Sequence, residues 1–70
     1  MQEYVHNTVQ KVRTDANLTQ EELAGRVGVS RQTIIAVERG NYTPSVLLAL
    51  KIANVFKKNV EDIFSIKYEK

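Results

Sequence analysis

The sequence predicts an all-α fold, five helices in one domain spanning residues 1–70. Three observations carry that expectation. Apolar residues recur at three- and four-residue spacing along most of the chain. Thr19, Ser30, Ser45 and Asn59 each stand just before such a run, where a side-chain oxygen can accept an orphan helix N–H. Gly28 and Gly40 stand where runs end, in positions that favour positive φ.

Val5, Val9, Val12 and Ala16 fall at i, i+4, i+7 and i+11, which places a first helix over residues 3–16, with Asn17 as its stop. Thr19 and Glu22 form a capping box for a second helix over 20–27. Glu21 and Glu22 lie at the positive end of its dipole. Gly25 inside it costs ~1 kcal/mol relative to alanine, and close approach of another backbone is the one reason the sequence suggests for it. Ser30 caps a third helix over 31–39, and Gly40 ends it. Residues 41–44 form a loop.

Ser45 caps the fourth helix, which runs to about Phe56. Val46, Ala49, Leu50, Ala53 and Phe56 make one apolar stripe; Leu48, Ile52 and Val55 make a second. Only the face bearing Lys51, Asn54 and Lys58 is polar, and Leu47 lies on it. Such a helix is expected to be both central in the core and shared with a partner. Asn59 opens a fifth helix over 60–64, with Ile63 and Phe64 closing the core. The tail, residues 65–70, alternates apolar and polar residues and reads either as a short C-terminal strand or as a frayed end. A lone strand is unstable, so its expected partner is its copy in a second subunit.

Composition bounds the function. A chain of this length buries only ~60% of its unfolded surface, so its stability is expected to be modest. There is no cysteine, which excludes disulfides and thiolate metal sites and suits a reducing, cytoplasmic setting. No apolar stretch approaches the ~20 residues of a membrane span, and no secretory leader is expected. The net charge is +2, but its distribution matters more. Between Leu23 and Lys58 lie Arg26, Arg31, Arg39, Lys51, Lys57 and Lys58 against one acid, Glu38. The other acids collect toward the ends, which can orient the molecule on a polyanion or simply solvate its faces.

The run from Gln20 to Arg39 is the most informative part of the chain. Ala24, Gly28, Ile34 and Val37 fall at the offsets two short helices need to cross tightly. Ala24 must be small beneath the crossing, and Leu23, Val27, Val29, Ile34 and Val37 supply the contacts. This is a helix-turn-helix, whose second helix can enter the major groove of DNA.

The chain resembles the small prokaryotic transcriptional regulators of the Cro/C1 (XRE-like) type. The residues that carry the resemblance are Leu18 to Ala24, Val27 to Ile34, Glu38-Arg39-Gly40, Pro44-Ser45, Ile52-Ala53 and Glu61 to Phe64. Ile35 and Gly25 depart from the usual pattern. The resemblance implies a five-helix, lambda-repressor-like domain that binds operator DNA, usually as a two-fold dimer. It further implies a phosphate contact by Gln20 and an ion pair between Arg13 and Glu38, worth only ~0–1 kcal/mol if exposed.

Arg31, Gln32 and Thr33 occupy the first turn of the third helix, which points deepest into the groove in this motif. Arginine can fork onto guanine and glutamine onto adenine. Arg31 can alternatively hold a phosphate, and Thr33 can serve as capping partner of Ser30. Ile35 and Ala36 come next on that face, where an apolar group can meet a thymine methyl. Arg39, Asn41 and Tyr42 follow with groups suited to phosphate.

The expected function is therefore sequence-specific, DNA-binding transcription regulation. Its simplest form is a repressor bound as a homodimer to a palindromic operator on double-stranded DNA. Leu47, Ile66 and Tyr68 are the expected dimer contacts. The alternative is an antitoxin-like or adaptor interaction module on the same fold. His6 reads as a surface helix residue, Ser30 and Ser45 are employed as caps, and no catalytic pair, cofactor or small-molecule substrate is expected.

Overall fold

The structure, a computed structural model, describes residues 2–69. Its elements run β1 (Gln2–Asn7), α1 (Val9–Asp15), α2 (Gln20–Val27), α3 (Arg31–Glu38), α4 (Val46–Val55), a 3₁₀ turn (Val60–Asp62) and β2 (Phe64–Glu69). The all-α, five-helix expectation is overturned: four α-helices carry a two-stranded antiparallel sheet made from the two ends of the chain.

The expected first helix failed at its start. Val5 fits the helical spacing of Val9 and Val12, yet Gln2–Asn7 is extended. The break is chemical. The Asn7 side-chain oxygen accepts the Val9 N–H at 3.1 Å, opening α1 there, while its amide donates to the Val37 carbonyl at 2.8 Å. Tyr4 and Val5 are residue types that suit a strand, Val5 half-buried and Tyr4 exposed, and β2 supplies the hydrogen-bonding partner that local spacing cannot reveal.

The expected fifth helix is only the 3₁₀ turn, because Phe64 already belongs to β2. The tail is a strand, but it pairs with β1 of the same chain rather than with a copy. Asn7 lies opposite Phe64, Val5 opposite Ile66 and Glu3 opposite Tyr68. Opposed residues share a face, so Val5, Phe64, Ile66 and Tyr68 line one side and Tyr4, His6, Ser65 and Lys67 the other. Thr8 N–H donates to the Ile63 carbonyl at 3.0 Å and ties this ribbon to the helical body.

The helix signals in the middle of the chain hold. Thr19, Ser30 and Ser45 accept N–H bonds from Glu22, Thr33 and Leu48. In the capping box the Thr19 N–H and hydroxyl hold the Glu22 carboxyl below its ordinary value of 4.5. Gly28 and Gly40 adopt φ of 74° and 78°, as their turns require.

The core joins Val9, Leu23, Ala24, Val27, Ile34, Val37, Leu48, Ile52, Ala53 and Ile63. On α4 only the face with Leu48, Ala49, Ile52 and Ala53 is buried; Val46, Leu47 and Leu50 are exposed. On α1, Arg13 is buried where an apolar stripe would have continued, while Ala16 is exposed.

Arg13 is buried because it is paired. Its Nε donates to Glu38 Oε2 at 2.6 Å, its Nη2 to Glu38 Oε1 at 3.2 Å and its Nη1 to the Leu18 carbonyl at 2.8 Å. The two side chains are 10% and 4% exposed. The value expected of an exposed pair therefore does not apply: in a buried pair each charge depends on the other.

Two stability outcomes follow. Glu38→Ala leaves a buried guanidinium without its counter-charge and costs about 3–5 kcal/mol in urea denaturation, whereas Arg13→Met with Glu38→Leu costs less than that single change. A single-variant loss below about 1 kcal/mol contradicts this account. The close backbone approach, the one reason the sequence suggests for Gly25, is absent: a Cβ there meets no atom within 4 Å. Gly25→Ala should thus stabilise the chain by about 0.5–1 kcal/mol, and a lowered thermal midpoint refutes it.

Candidate nucleic-acid interface

The interface is assembled around α3. Ser30 Oγ accepts the Thr33 N–H at 3.2 Å and lies 3.1 Å from Thr33 Oγ1, which fixes the first turn. Thr33 is half-buried and occupied with this cap. Arg31 and Gln32, beside it in the same turn, are exposed. Helix α2 packs against α3, and Ala24, the small residue expected beneath the crossing, is buried in the core at 3% exposure.

The two flanks of α3 differ. On one side Gln10, Gln20, Arg31, Ile35, Glu38 and Arg39 line a shallow hollow. On the other, Gln32, Thr33, Ala36 and Tyr42 line a second. The structure thus brings together Gln20, Arg31, Ile35 and Arg39, and separately Gln32, Ala36 and Tyr42. Ile35 and Ala36 are half-buried at the helix flanks rather than freely exposed. Asn41 is exposed in the loop after Gly40, and its N–H bonds the Ala36 carbonyl at 2.9 Å.

Gln20 is oriented by the buried pair. Its Nε2 donates to Glu38 Oε1 at 3.0 Å, the same oxygen that Arg13 Nη2 reaches. One amide proton is spent on this bond; the other, and the carbonyl oxygen, remain for an outside group. Glu38, the lone acid of the basic region, is neutralised from within by Arg13. The hollow it lines therefore presents the outward charge of Arg31 and Arg39.

Gln10 is the residue that sequence reasoning missed. It is exposed on α1, and only the packing of α1 beside α3 brings it next to Gln20 and Arg31. No spacing along the chain signals that juxtaposition. The expected dimer residues are exposed on two separate elements: Leu47 (64%) on α4 beside Tyr42 and Lys51, Ile66 (60%) and Tyr68 (59%) on β2. Among the described residues no cluster of His, Asp or Glu suits a metal ion, and no helix is long and apolar enough to cross a membrane.

Known proteins are similar to this chain in sequence and in fold. The helix-turn-helix family model matches residues 9–63, which leaves both strands outside it. An uncharacterised HTH-type transcriptional regulator of Methanocaldococcus jannaschii is 57% identical over 58 residues, 83% of this chain and 88% of that one. The restriction-modification controller protein C.AhdI of Aeromonas hydrophila superposes with a TM-score of 0.73 at 31% identity, over 77% of this chain and 82% of its own. The transcriptional regulator VanUg shares the fold at 23% identity, with a TM-score of 0.78 over 99% of this chain and 92% of its own. The match over the helices, together with the capped first turn of α3 and the packing of α2 against α3, makes this chain a member of the Cro/C1-type helix-turn-helix family of transcriptional regulators.

Proposed function

We propose that this chain is a repressor that reads a palindromic operator as a homodimer, with α3 as the recognition helix. The observation that carries the reading is the pair Arg31 and Gln32, both exposed in the capped first turn of α3. Two long side chains with forked donors and acceptors suit guanine and adenine edges in the major groove. Gln20, held by Glu38 at the amino end of α2, suits a phosphate, helped by the free N–H groups of that helix end. Arg39, Asn41 and Tyr42 extend the backbone contact, Ile35 and Ala36 offer apolar contact to thymine methyls, and Thr33 chiefly keeps the first turn in shape.

A two-fold dimer fits this reading geometrically. Two copies related by a two-fold axis place their recognition helices one helical turn apart, ~34 Å, and bind a palindrome. Leu47, with Val46 and Leu50 on α4, and Ile66 and Tyr68 on β2 are apolar groups left uncovered on the single chain. Covering them with a second copy removes apolar area from water. Occupying a promoter in this form blocks transcription.

Anisotropy titrations on operator fragments selected from random duplexes test the DNA reading. The affinity should fall steeply with salt. Gln32→Ala should relax preference at one base position by about 1–3 kcal/mol, and Gln20→Ala should weaken all sites alike. If neither change alters DNA affinity, an interaction module on the same fold replaces this reading. Sedimentation tests the dimer: the wild type should be dimeric, and Leu47→Glu with Ile66→Glu should yield a folded monomer. A wild type that stays monomeric while binding its operator tightly refutes the homodimer.

A further inference from the structure

The ribbon of β1 and β2 lies outside the stretch that the family model matches. Yet Asn7 carries β1 onto the end of the proposed recognition helix, through its 2.8 Å bond to the Val37 carbonyl. Tyr4, Val5, His6 and Asn7 line a hollow with Glu38, Arg39 and Gly40. Glu38 and Arg39 also line the hollow that holds Gln20 and Arg31, so the two run into one another at the carboxyl end of α3.

We infer that β1 is a second contact element for the DNA backbone, in which His6 and Tyr4, beside Arg39, receive a phosphate beyond the one held by Gln20. The inference rests on the DNA-binding reading above and extends it to a segment outside the helix-turn-helix.

Charge favours it. Arg39 is an exposed cation, and the only acid lining the hollow, Glu38, is buried and neutralised by Arg13. Tyr4 and His6 are exposed and bring a phenol and an imidazole. Register places Lys67 opposite Tyr4, on the same sheet face as His6, which adds a second cation. The bond from Thr8 N–H to the Ile63 carbonyl sets the ladder phase. The N–H groups of Val5 and Asn7 consequently turn away from β2 and toward the outer edge of the ribbon. The acids Glu3 and Glu69 sit at the far tip and limit the contact to residues 4–7.

A phosphate contact is sequence-independent, so a mixed-sequence duplex of about 30 base pairs is the probe, titrated over a range of salt. His6→Arg should raise affinity several-fold and steepen the log K against log salt slope by about 0.9. His6→Glu should lower affinity several-fold. Opposite responses at one exposed position cannot come from a folding defect, which lowers affinity in both variants. Lys58→Glu is the control. It lies in the groove between α1 and α4, which shares no residue with either hollow, and it should change affinity less than His6→Glu. A steep wild-type slope with His6 variants unchanged, or no different from the control, overturns the ribbon contact and leaves the helix-turn-helix reading intact. A wild type without salt-dependent binding overturns both.

Discussion

The arrangement of the helices depends on one buried guanidinium. Arg13 on α1 reaches Glu38 at the end of α3 and the Leu18 carbonyl in the turn before α2. Glu38 in turn holds Gln20, the first residue of α2. A single ion pair thus fixes three helices relative to one another. It does so with directional bonds, whereas the hydrophobic contribution of Val9, Leu23 and Ile34 is non-directional. The cost of burying two charges is offset only because every nitrogen of the guanidinium finds an oxygen.

The same pair organises the proposed DNA-facing surface. Were Glu38 free, it would repel the phosphates that Arg31 and Arg39 are placed to attract. Neutralised by Arg13, it becomes a fixed acceptor that aims Gln20. Stability and function meet in that carboxylate, since the group that locks α1 to α3 also sets the angle of the side chain proposed to meet the backbone. Asn7 plays a parallel part at the same carboxyl end of α3, where it opens α1 with its oxygen and anchors β1 to the Val37 carbonyl with its amide.

The helix boundaries of the middle of the chain were legible because their causes are local. Thr19, Ser30 and Ser45 bond N–H groups three residues on, and Gly28 and Gly40 relieve a steric clash within a single residue. The exposed positions of Arg31 and Gln32 follow from helix phase once Ile34 and Val37 face inward. The ends are not legible in this way, for the opposite reason. Val5 obeys helical spacing, but β1 is stabilised by hydrogen bonds to residues about sixty positions away, and periodicity carries no information about them. Asn7 and Thr8 before Val9 were the available signal for a later helix start.

By itself the sequence determined the helix-turn-helix, its caps, the family and the side chains offered in the first turn of α3, because each rests on interactions spanning a few residues. Only the tertiary structure decided that the two chain ends form a ribbon and that Arg13 is buried. Only it brought Gln10 beside Gln20, and His6 beside Arg39. These are encounters between residues distant along the chain, and they exist only when the whole core closes around Val9, Ile34 and Ile52.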